Sequence, residues 1–123
     1  MVINPVGWFE IYVNEMPRAK TFYSQVFGFE FEDMSKPDME MWAFPMDHQI
    51  YGAGGALVKM SGIEPGGNGV LIYFSCEDCA VQAEQSVQNG GKLVTEKQSI
   101  GEHGFFALVA DTEGNTIGLH SMK

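Results

Sequence analysis

The segment WFEIYVNEMPRAKTFYSQVFG, residues 8–28, predicts a strand, a tight corner and a helix that packs back on the strand. Successive side chains of a strand point to opposite faces, so alternate residues share a face. One face is apolar and carries Phe9, Ile11 and Val13. The other face carries a carboxylate between two amphipathic aromatic side chains: Trp8, Glu10 and Tyr12. What this second face contacts therefore decides the function.

The helix in this segment is predicted by its start, its apolar stripe and its end. Asn14 and Pro17 are typical of a helix start. Apolar side chains then recur at three- and four-residue spacings, which places them on one stripe: Ala19, Phe22, Tyr23, Val26 and Phe27. Gly28 is typical of the residue that ends a helix. We expect this helix to cover the apolar face of the strand.

The same order of elements occurs twice in the chain. Residues 6–60 are predicted to form a strand, a helix and three strands, and residues 69–122 repeat that pattern. The Gly- and Pro-rich segment SGIEPGGN, residues 61–68, is typical of a linker. The sequence thus predicts one α+β domain over residues 1–123, built from two βαβββ modules. The uncovered face of each sheet would be buried against the other half or against a second copy of the chain.

In the second module, the helix is predicted to begin at Glu77 and Asp78 and to end at the segment Asn89-Gly90-Gly91. Its apolar stripe is expected at three positions: Ala80, Ala83 and Val87.

Composition excludes several classes of partner. The chain has 123 residues, is 45% hydrophobic, and carries 16 acidic against 7 basic residues, for a formal net charge of −9. Without clustered Lys and Arg, binding to nucleic acid or to an anionic membrane is not expected. No apolar run approaches the ~20 residues of a membrane span, and the N-terminus lacks a targeting pattern. We expect a cytoplasmic protein.

The two cysteines form a single CxxC motif, Cys76 and Cys79, at the corner before the second helix. One interpretation is a redox pair whose thiol pKa is lowered at a helix start. The other is that two small apolar side chains pack at the corner and stay reduced in the cytosol. A zinc site would need further ligands, and the sequence contains no second cysteine pair.

Two segments resemble a known family. RAKTFYSQVFGFEF (residues 18–31) and DTEGNTIGLHS (residues 111–121) are similar to recurring segments of the vicinal oxygen chelate superfamily, which includes glyoxalase I, bleomycin-resistance proteins and extradiol dioxygenases. The resemblance covers essentially the whole chain. It implies paired βαβββ modules that form a half-open, barrel-like sheet around a ligand site, and it implies a homodimer.

The metal enzymes of that family hold a divalent ion with His and Glu at four cavity positions. In this sequence the resemblance places nonligating residues at all four: Trp8, Ala56, Leu71 and Gly118. A divalent ion needs several oxygen or imidazole ligands around one point. We therefore expect no metal cofactor, and the alternative is a divalent ion in a shifted site that uses Glu10 and His120.

Strand alternation places Glu10 and His120 near those positions on the uncovered faces, as a candidate acid–base pair tuned by burial. Alternatively, Glu10 forms a hydrogen bond with Tyr73 or Tyr12, and His120 lies at the rim or in an interface. The residues predicted to contact a ligand in the cavity are Trp8, Tyr12, Trp42, Leu71, Tyr73, Phe106 and Gly118.

Three functional hypotheses follow. The first is a metal-free protein that binds an apolar or aromatic small molecule, similar to the antibiotic-resistance branch of the family. The second is a lyase, isomerase or epimerase that uses Glu10 and His120. The third is an inert partner or regulatory module with a vestigial cavity. The first is preferred because the cavity is expected to be aromatic and the four ligand positions lack donors. Whether modules pair within a chain or between copies stays open.

Overall fold

The computed structural model describes residues 4, 6 and 8–123. Within these residues the chain forms two four-stranded sheets and two α-helices. The first module comprises β1 (Trp8–Tyr12), α1 (Met16–Phe27), β2 (Glu32–Asp33), β3 (Glu40–Ala43) and β4 (Gly54–Lys59). The second comprises β5 (Tyr73–Ser75), α2 (Cys79–Gln88), β6 (Lys92–Ser99), a short 3₁₀ turn (Gly101–His103), β7 (Phe105–Ala110) and β8 (Thr116–Ser121).

This order confirms the α+β class and the paired βαβββ pattern. The predicted domain begins at residue 1 and its first module at residue 6. Residues 1–3, 5 and 7 of these predictions lie outside the described residues. Neither α1 nor α2 is long and apolar enough to cross a membrane, and no other described helix is.

The two sheets have the same topology. The strand orders are β1-β4-β3-β2 and β5-β8-β7-β6, and in each sheet the first pair is parallel and the others are antiparallel. In the first sheet Glu10 lies opposite Ala56, and at the matching place in the second sheet Tyr73 lies opposite Gly118. Residues paired in this way point to the same face of a sheet.

Two predicted strands are shorter than expected. The first strand predicted after α1 is limited to β2, because Phe29 and Phe31 pack their rings against the core instead of continuing the ladder. The strand predicted from Gly69 begins only at Tyr73. The preceding glycines favour turn conformations, and Gly66 and Gly67 both have positive φ angles.

One hydrophobic core joins the two modules. The stripe of α1 is buried as predicted except at Phe27, which is partly buried, and Tyr23 and Phe22 are at most 1% exposed. The same core takes Leu57 from the first sheet and Leu119 from the second. Phe74 of β5 contacts rings of the first module directly, with ring centroids 4.8 Å from Phe27, 5.7 Å from Phe44 and 6.3 Å from Phe9. The modules are therefore packed through the helix-covered faces of their sheets.

The predicted stripe of α2 is only partly correct. Ala83 is buried, but Ala80 and Val87 are exposed, and Cys79 and Ser86 are buried in their place. The helix begins at Cys79, after the N-cap Asp78, whose carboxylate accepts a hydrogen bond from the amide of Ala80. This start turns the helix so that the small side chains of Cys79, Ala83 and Ser86 face the second sheet.

A buried carboxylate in the β7–β8 turn holds the start of α1. Oε1 of Glu113 accepts hydrogen bonds from the amides of Asn14 and Glu15, at 3.0 and 2.9 Å. The guanidinium of Arg18 donates to both oxygens of Glu113, at 2.7 and 3.0 Å. No side chain caps α1 at Glu15, so the capping expected of Asn14 is absent and Glu113 binds the backbone there instead.

Two neighbours of Glu113 add further links between the modules. The hydroxyl of Tyr23 donates to Asp111 at 2.7 Å, and the side-chain amide of Asn115 donates to the carbonyl oxygen of Tyr12 at 2.9 Å. We call residues 111–115, with these bonds, the intermodule clamp. The recurring DTEGN segment thus has a structural role, because it ties β1 and α1 to the second sheet.

We predict that Glu113→Gln lowers the free energy of unfolding by about 1–3 kcal/mol, because the buried Glu113 carboxylate loses its charge and an amide donor then faces the half-exposed guanidinium of Arg18. Chemical denaturation measures the change. The matched control is Glu77→Gln, since the Glu77–Lys123 pair is long, at 3.7 Å, and mostly exposed. A control variant as destabilised as Glu113→Gln would contradict this role.

The stabilisation by Glu113 is predicted to depend on pH. Burial raises the pKa of Glu113, but hydrogen bonds from Arg18 and from the amides of Glu15 and Asn14 outweigh burial and hold the pKa at about 2, below the ordinary 4.5. A lowered carboxyl pKa stabilises the fold above pH 4.5, and this contribution is lost as the pH falls from 4.5 towards 2.

Accordingly, the difference in unfolding free energy between wild type and Glu113→Gln should be largest near neutral pH and should shrink as the pH falls from 4.5 towards 2. Asp111 acts in the opposite sense, since burial raises its pKa, but it is present in both proteins. Urea titrations over that pH range measure the difference. A difference that stays constant down to the lowest pH would refute the assignment.

Candidate functional site

A cleft lies on the uncovered face of the second sheet. It has a volume of about 380 Å³, and its lining comes from three strands and the loop before β7: Tyr73, Ser75, Ile100, Phe106 and His120. We call it the β8 cleft. Strand register explains its composition, because His120 pairs with Ser75 on one side and with Phe106 on the other. These side chains therefore project from the same face.

Tyr73 dominates the surface of the β8 cleft. Tyr73 is 49% exposed, whereas most aromatic residues of this protein are buried or partly buried. The ring lies directly over the Cα of Gly118, because a Cβ built at that glycine would overlap the ring atoms of Tyr73. Gly118 is not part of the cleft lining, and its small size lets the tyrosine ring lie against β8.

His120 is held by a backbone contact at the edge of the β8 cleft. Its Nε2 lies 2.7 Å from the carbonyl oxygen of His103, at the end of the 3₁₀ turn. The side chain of His103 is itself 78% exposed and forms only a long pair with Glu102, at 3.8 Å. The turn therefore positions His120 through its backbone, and the His103 imidazole is not part of the cleft.

Glu10 occupies a different environment. Its carboxylate accepts hydrogen bonds from the indole of Trp8 at 3.2 Å and from the hydroxyl of Tyr12 at 2.7 Å. This hydrogen bond to Glu10 is also the main cause of the raised pKa of Tyr12. Glu10 and Tyr12 line a second cleft of about 230 Å³. The rest of its lining includes residues 64–70, which span the end of the linker and the start of the second module, and also Ile72 and residues 115–117. We call it the linker cleft.

The structure therefore does not bring Glu10 and His120 into one site within a chain. Glu10 lines the linker cleft and His120 lines the β8 cleft. The hydrogen bond that Glu10 accepts from Tyr12 agrees with the alternative in which Glu10 bonds to a tyrosine. Tyr73, Phe106 and His120 are brought together as predicted, since all three line the β8 cleft.

Four of the predicted ligand contacts line neither cleft: Trp8, Trp42, Leu71 and Gly118. The predicted position of Trp42 in the cavity is wrong. Trp42 pairs with Leu57 and lies on the helix-covered face, where the ammonium of Lys20 in α1 lies 3.2 Å from the ring centroid. The alternation in β3 puts Met41, not Trp42, on the uncovered face, packed with Ala56 and Val58. Leu71 precedes β5 and is 37% exposed, outside the β8 cleft.

Two residues of the β8 cleft were not among the predicted ligand contacts. Alternation places Ser75 on the same face as Tyr73, since it lies two residues later in the same short strand. Ile100 could not be predicted in this way, because it lies in a loop and enters the cleft only through the turn at residues 101–103.

The residues at the four positions of the family's metal ligands do not fit a divalent ion. They offer an indole, a methyl group, an aliphatic side chain and a glycine, at Trp8, Ala56, Leu71 and Gly118. A carboxylate at position 118 would also displace the ring of Tyr73. Among the described residues, no three His, Cys, Asp or Glu side chains cluster as a metal site requires.

The cysteine pair fits the packing interpretation. Cys79 is fully buried in the common core, and Cys76 is half-buried. Burial, and to a lesser degree the neighbouring Cys79, raises the pKa of the Cys76 thiol to about 11. A raised pKa disfavours the thiolate that thiol–disulfide exchange requires.

Comparison with known proteins identifies relatives that share this architecture. The chain is 30% identical over 115 residues to a glyoxylase-like domain-containing protein from Didymella fabae, covering 90% of this chain and 88% of that protein. Its fold is similar to that of a glyoxalase I mutant from Zea mays, with a TM-score of 0.77 and 16% identity over 96% of this chain. The chain spans only 47% of the maize protein, about half its length.

A second solved structure has about the same length as this chain. The glyoxylase/bleomycin resistance protein/dioxygenase domain from Frankia sp. matches with a TM-score of 0.74 and 13% identity, covering 99% of this chain and all of that domain. At such identities the likeness shows the fold alone. The model of the Glyoxalase/Bleomycin resistance protein/Dioxygenase superfamily matches residues 5–119. The chain therefore belongs to the Glyoxalase/Bleomycin resistance protein/Dioxygenase superfamily.

Proposed function

We propose that the protein binds a planar, largely apolar small molecule in the β8 cleft, without a metal cofactor. The observation that carries this proposal is the half-exposed ring of Tyr73, which faces the cleft beside Phe106 and Ile100. Exposed aromatic surface of this kind gains free energy when a ligand ring removes it from water. The volume of about 380 Å³ lies within the range of small-molecule sites.

Polar groups of the β8 cleft would orient the ligand. Ser75 and His120, which lie opposite each other in β5 and β8, each offer a hydrogen-bonding side chain, and the hydroxyl of Tyr73 is a third such group. The formal net charge of −9 favours a neutral or cationic ligand over an anionic one. The absence of donors at the four metal-ligand positions supports binding without a metal.

We also propose that the protein acts as a homodimer. The uncovered faces carry Trp8, 40% exposed, and Tyr73, and a second copy of the chain would bury part of this surface. The maize glyoxalase I chain is about twice as long as this chain, so two copies of this chain would match its length. Sedimentation of the purified protein tests this: a monomer at all concentrations would contradict it.

The acid–base alternative requires Glu10 and His120 at one site. Because they line different clefts within a chain, a lyase, isomerase or epimerase of this kind would need a dimer that joins the two clefts. No contact of either residue favours that arrangement, so binding is the function we propose.

The proposal predicts that Tyr73→Ala weakens binding of the neutral fluorescent probe N-phenyl-1-naphthylamine by roughly tenfold, since stacking and buried area are both lost. Fluorescence titration measures the dissociation constant. Tyr51→Ala is the matched control, because Tyr51 is 88% exposed and lies outside the β8 cleft. Equal affinities for wild type and Tyr73→Ala, or no binding by wild type, would overturn the assignment.

A further inference from the structure

The bond between His120 and His103 fixes which nitrogen of the His120 ring carries hydrogen. A carbonyl oxygen can only accept a hydrogen bond, so the Nε2 atom that lies 2.7 Å from it must be the donor. In a neutral imidazole the other nitrogen then has a lone pair and no hydrogen. Nδ1 of His120 is therefore an acceptor when the ring is neutral.

The loop before β7 holds that carbonyl in place. The amide of Gly104 donates to the carbonyl of Gly101 at 3.2 Å, and the amide of Ile100 donates to the carbonyl of Gly104 at 2.9 Å. Gly104 has a φ of +99°, and a Cβ there would overlap the carbonyl oxygen of Ser121 in β8. The loop thus lies against the strand that carries His120, so the His103 carbonyl cannot move without breaking this turn.

The β8 cleft leaves Nδ1 without a partner. In the part of the chain that the structure describes, no hydrogen bond engages Nδ1 of His120, and none engages the hydroxyl groups of Tyr73 or Ser75. A hydroxyl group rotates to donate or to accept, but Nδ1 in this tautomer can only accept. His120 lines the cleft and its Nε2 is already engaged, so Nδ1 is the polar atom of this ring that remains for a ligand, and its requirement is fixed.

From this geometry we infer that the β8 cleft selects aromatic ligands that donate a hydrogen bond, such as phenols or aryl N–H compounds, with His120 as the residue that determines this specificity. The inference rests on the proposed binding function of the cleft. An aromatic ether of the same shape stacks equally well on Tyr73 but leaves Nδ1 facing another acceptor. Such a mismatch reduces affinity, because a desolvated acceptor stays unpaired.

The tautomer is tested first without any ligand. Long-range ¹H–¹⁵N correlation spectra of the free protein at about pH 8, where an ordinary imidazole is neutral, report which ring nitrogen carries hydrogen. Comparison with the spectrum of His120→Phe assigns the signals. The inference expects hydrogen on Nε2 of His120. Hydrogen on Nδ1 would overturn it, whatever the cleft binds.

Ligand selection is tested with two probes of nearly equal shape, 2-naphthol and 2-methoxynaphthalene, by calorimetric titration at about pH 8. Wild type should bind the naphthol roughly three- to tenfold more tightly than the ether. His120→Phe, which keeps a planar ring in the cleft, should bind both with equal affinity. His103→Ala is the matched control and should keep the preference, because only its backbone carbonyl contacts His120.

The outcomes separate the two proposals. If wild type binds both probes equally, or prefers the ether, the specificity inference is overturned while binding in the cleft stands. If His120→Phe keeps the preference in a folded state verified by circular dichroism, the role of His120 is overturned. If wild type binds neither probe, the proposed function fails and the inference fails with it.

Discussion

The carboxylate of Glu113 is the contact on which the arrangement of the two modules depends. It comes from the turn between the last two strands, yet its partners are the two residues before α1 and Arg18 within that helix. Its side chain has no exposed surface, so an unpaired charge there would cost several kcal/mol. Separating the modules would remove these partners, and the fold is therefore held together at the start of α1.

The placement of the β8 cleft follows from this packing of the two modules. Because the helix-covered faces of both sheets share one core, the uncovered face of the second sheet is free to form a cleft. On that face the small size of Gly118 lets the ring of Tyr73 lie against β8, and the turn at residues 101–103 adds Ile100 and sets the orientation of His120. Position 118, one of the four positions compared with the family's metal ligands, thus supports an aromatic side chain here.

Much of this could be predicted from the sequence, because strand alternation and helix periodicity are local. The paired modules and the stripe of α1 follow from spacing, and strand alternation places Tyr73 and His120 on the uncovered face of the second sheet. Trp42 was misplaced because the predicted pocket was chosen for aromatic character, although alternation with Met41 puts the two residues on opposite faces. Two of the three stripe positions predicted for α2 were wrong, because Ala80 and Val87 were chosen for their apolar side chains, whereas Cys79 and Ser86 take the buried positions.

The separation of Glu10 from His120 could not be predicted from local pattern. It depends on how the modules pack, and that packing is decided by contacts between distant segments, such as those of Glu113 with Arg18 and of Phe74 with Phe27. Sequence order alone carries no signal for these pairs. The role of the DTEGN segment was likewise hidden, since its residues are ordinary for a turn and only their partners show that they join the modules.

Native-state hydrogen exchange at the amides of Asn14 and Glu15 tests this account most directly. If Glu113 holds the modules as one unit, these amides exchange only on global unfolding, with the same free energy and denaturant dependence as the amide of Leu119 in the core strand β8. Exchange of both amides at a much lower free energy, while Leu119 stays protected, would show that the modules open independently and would contradict the account.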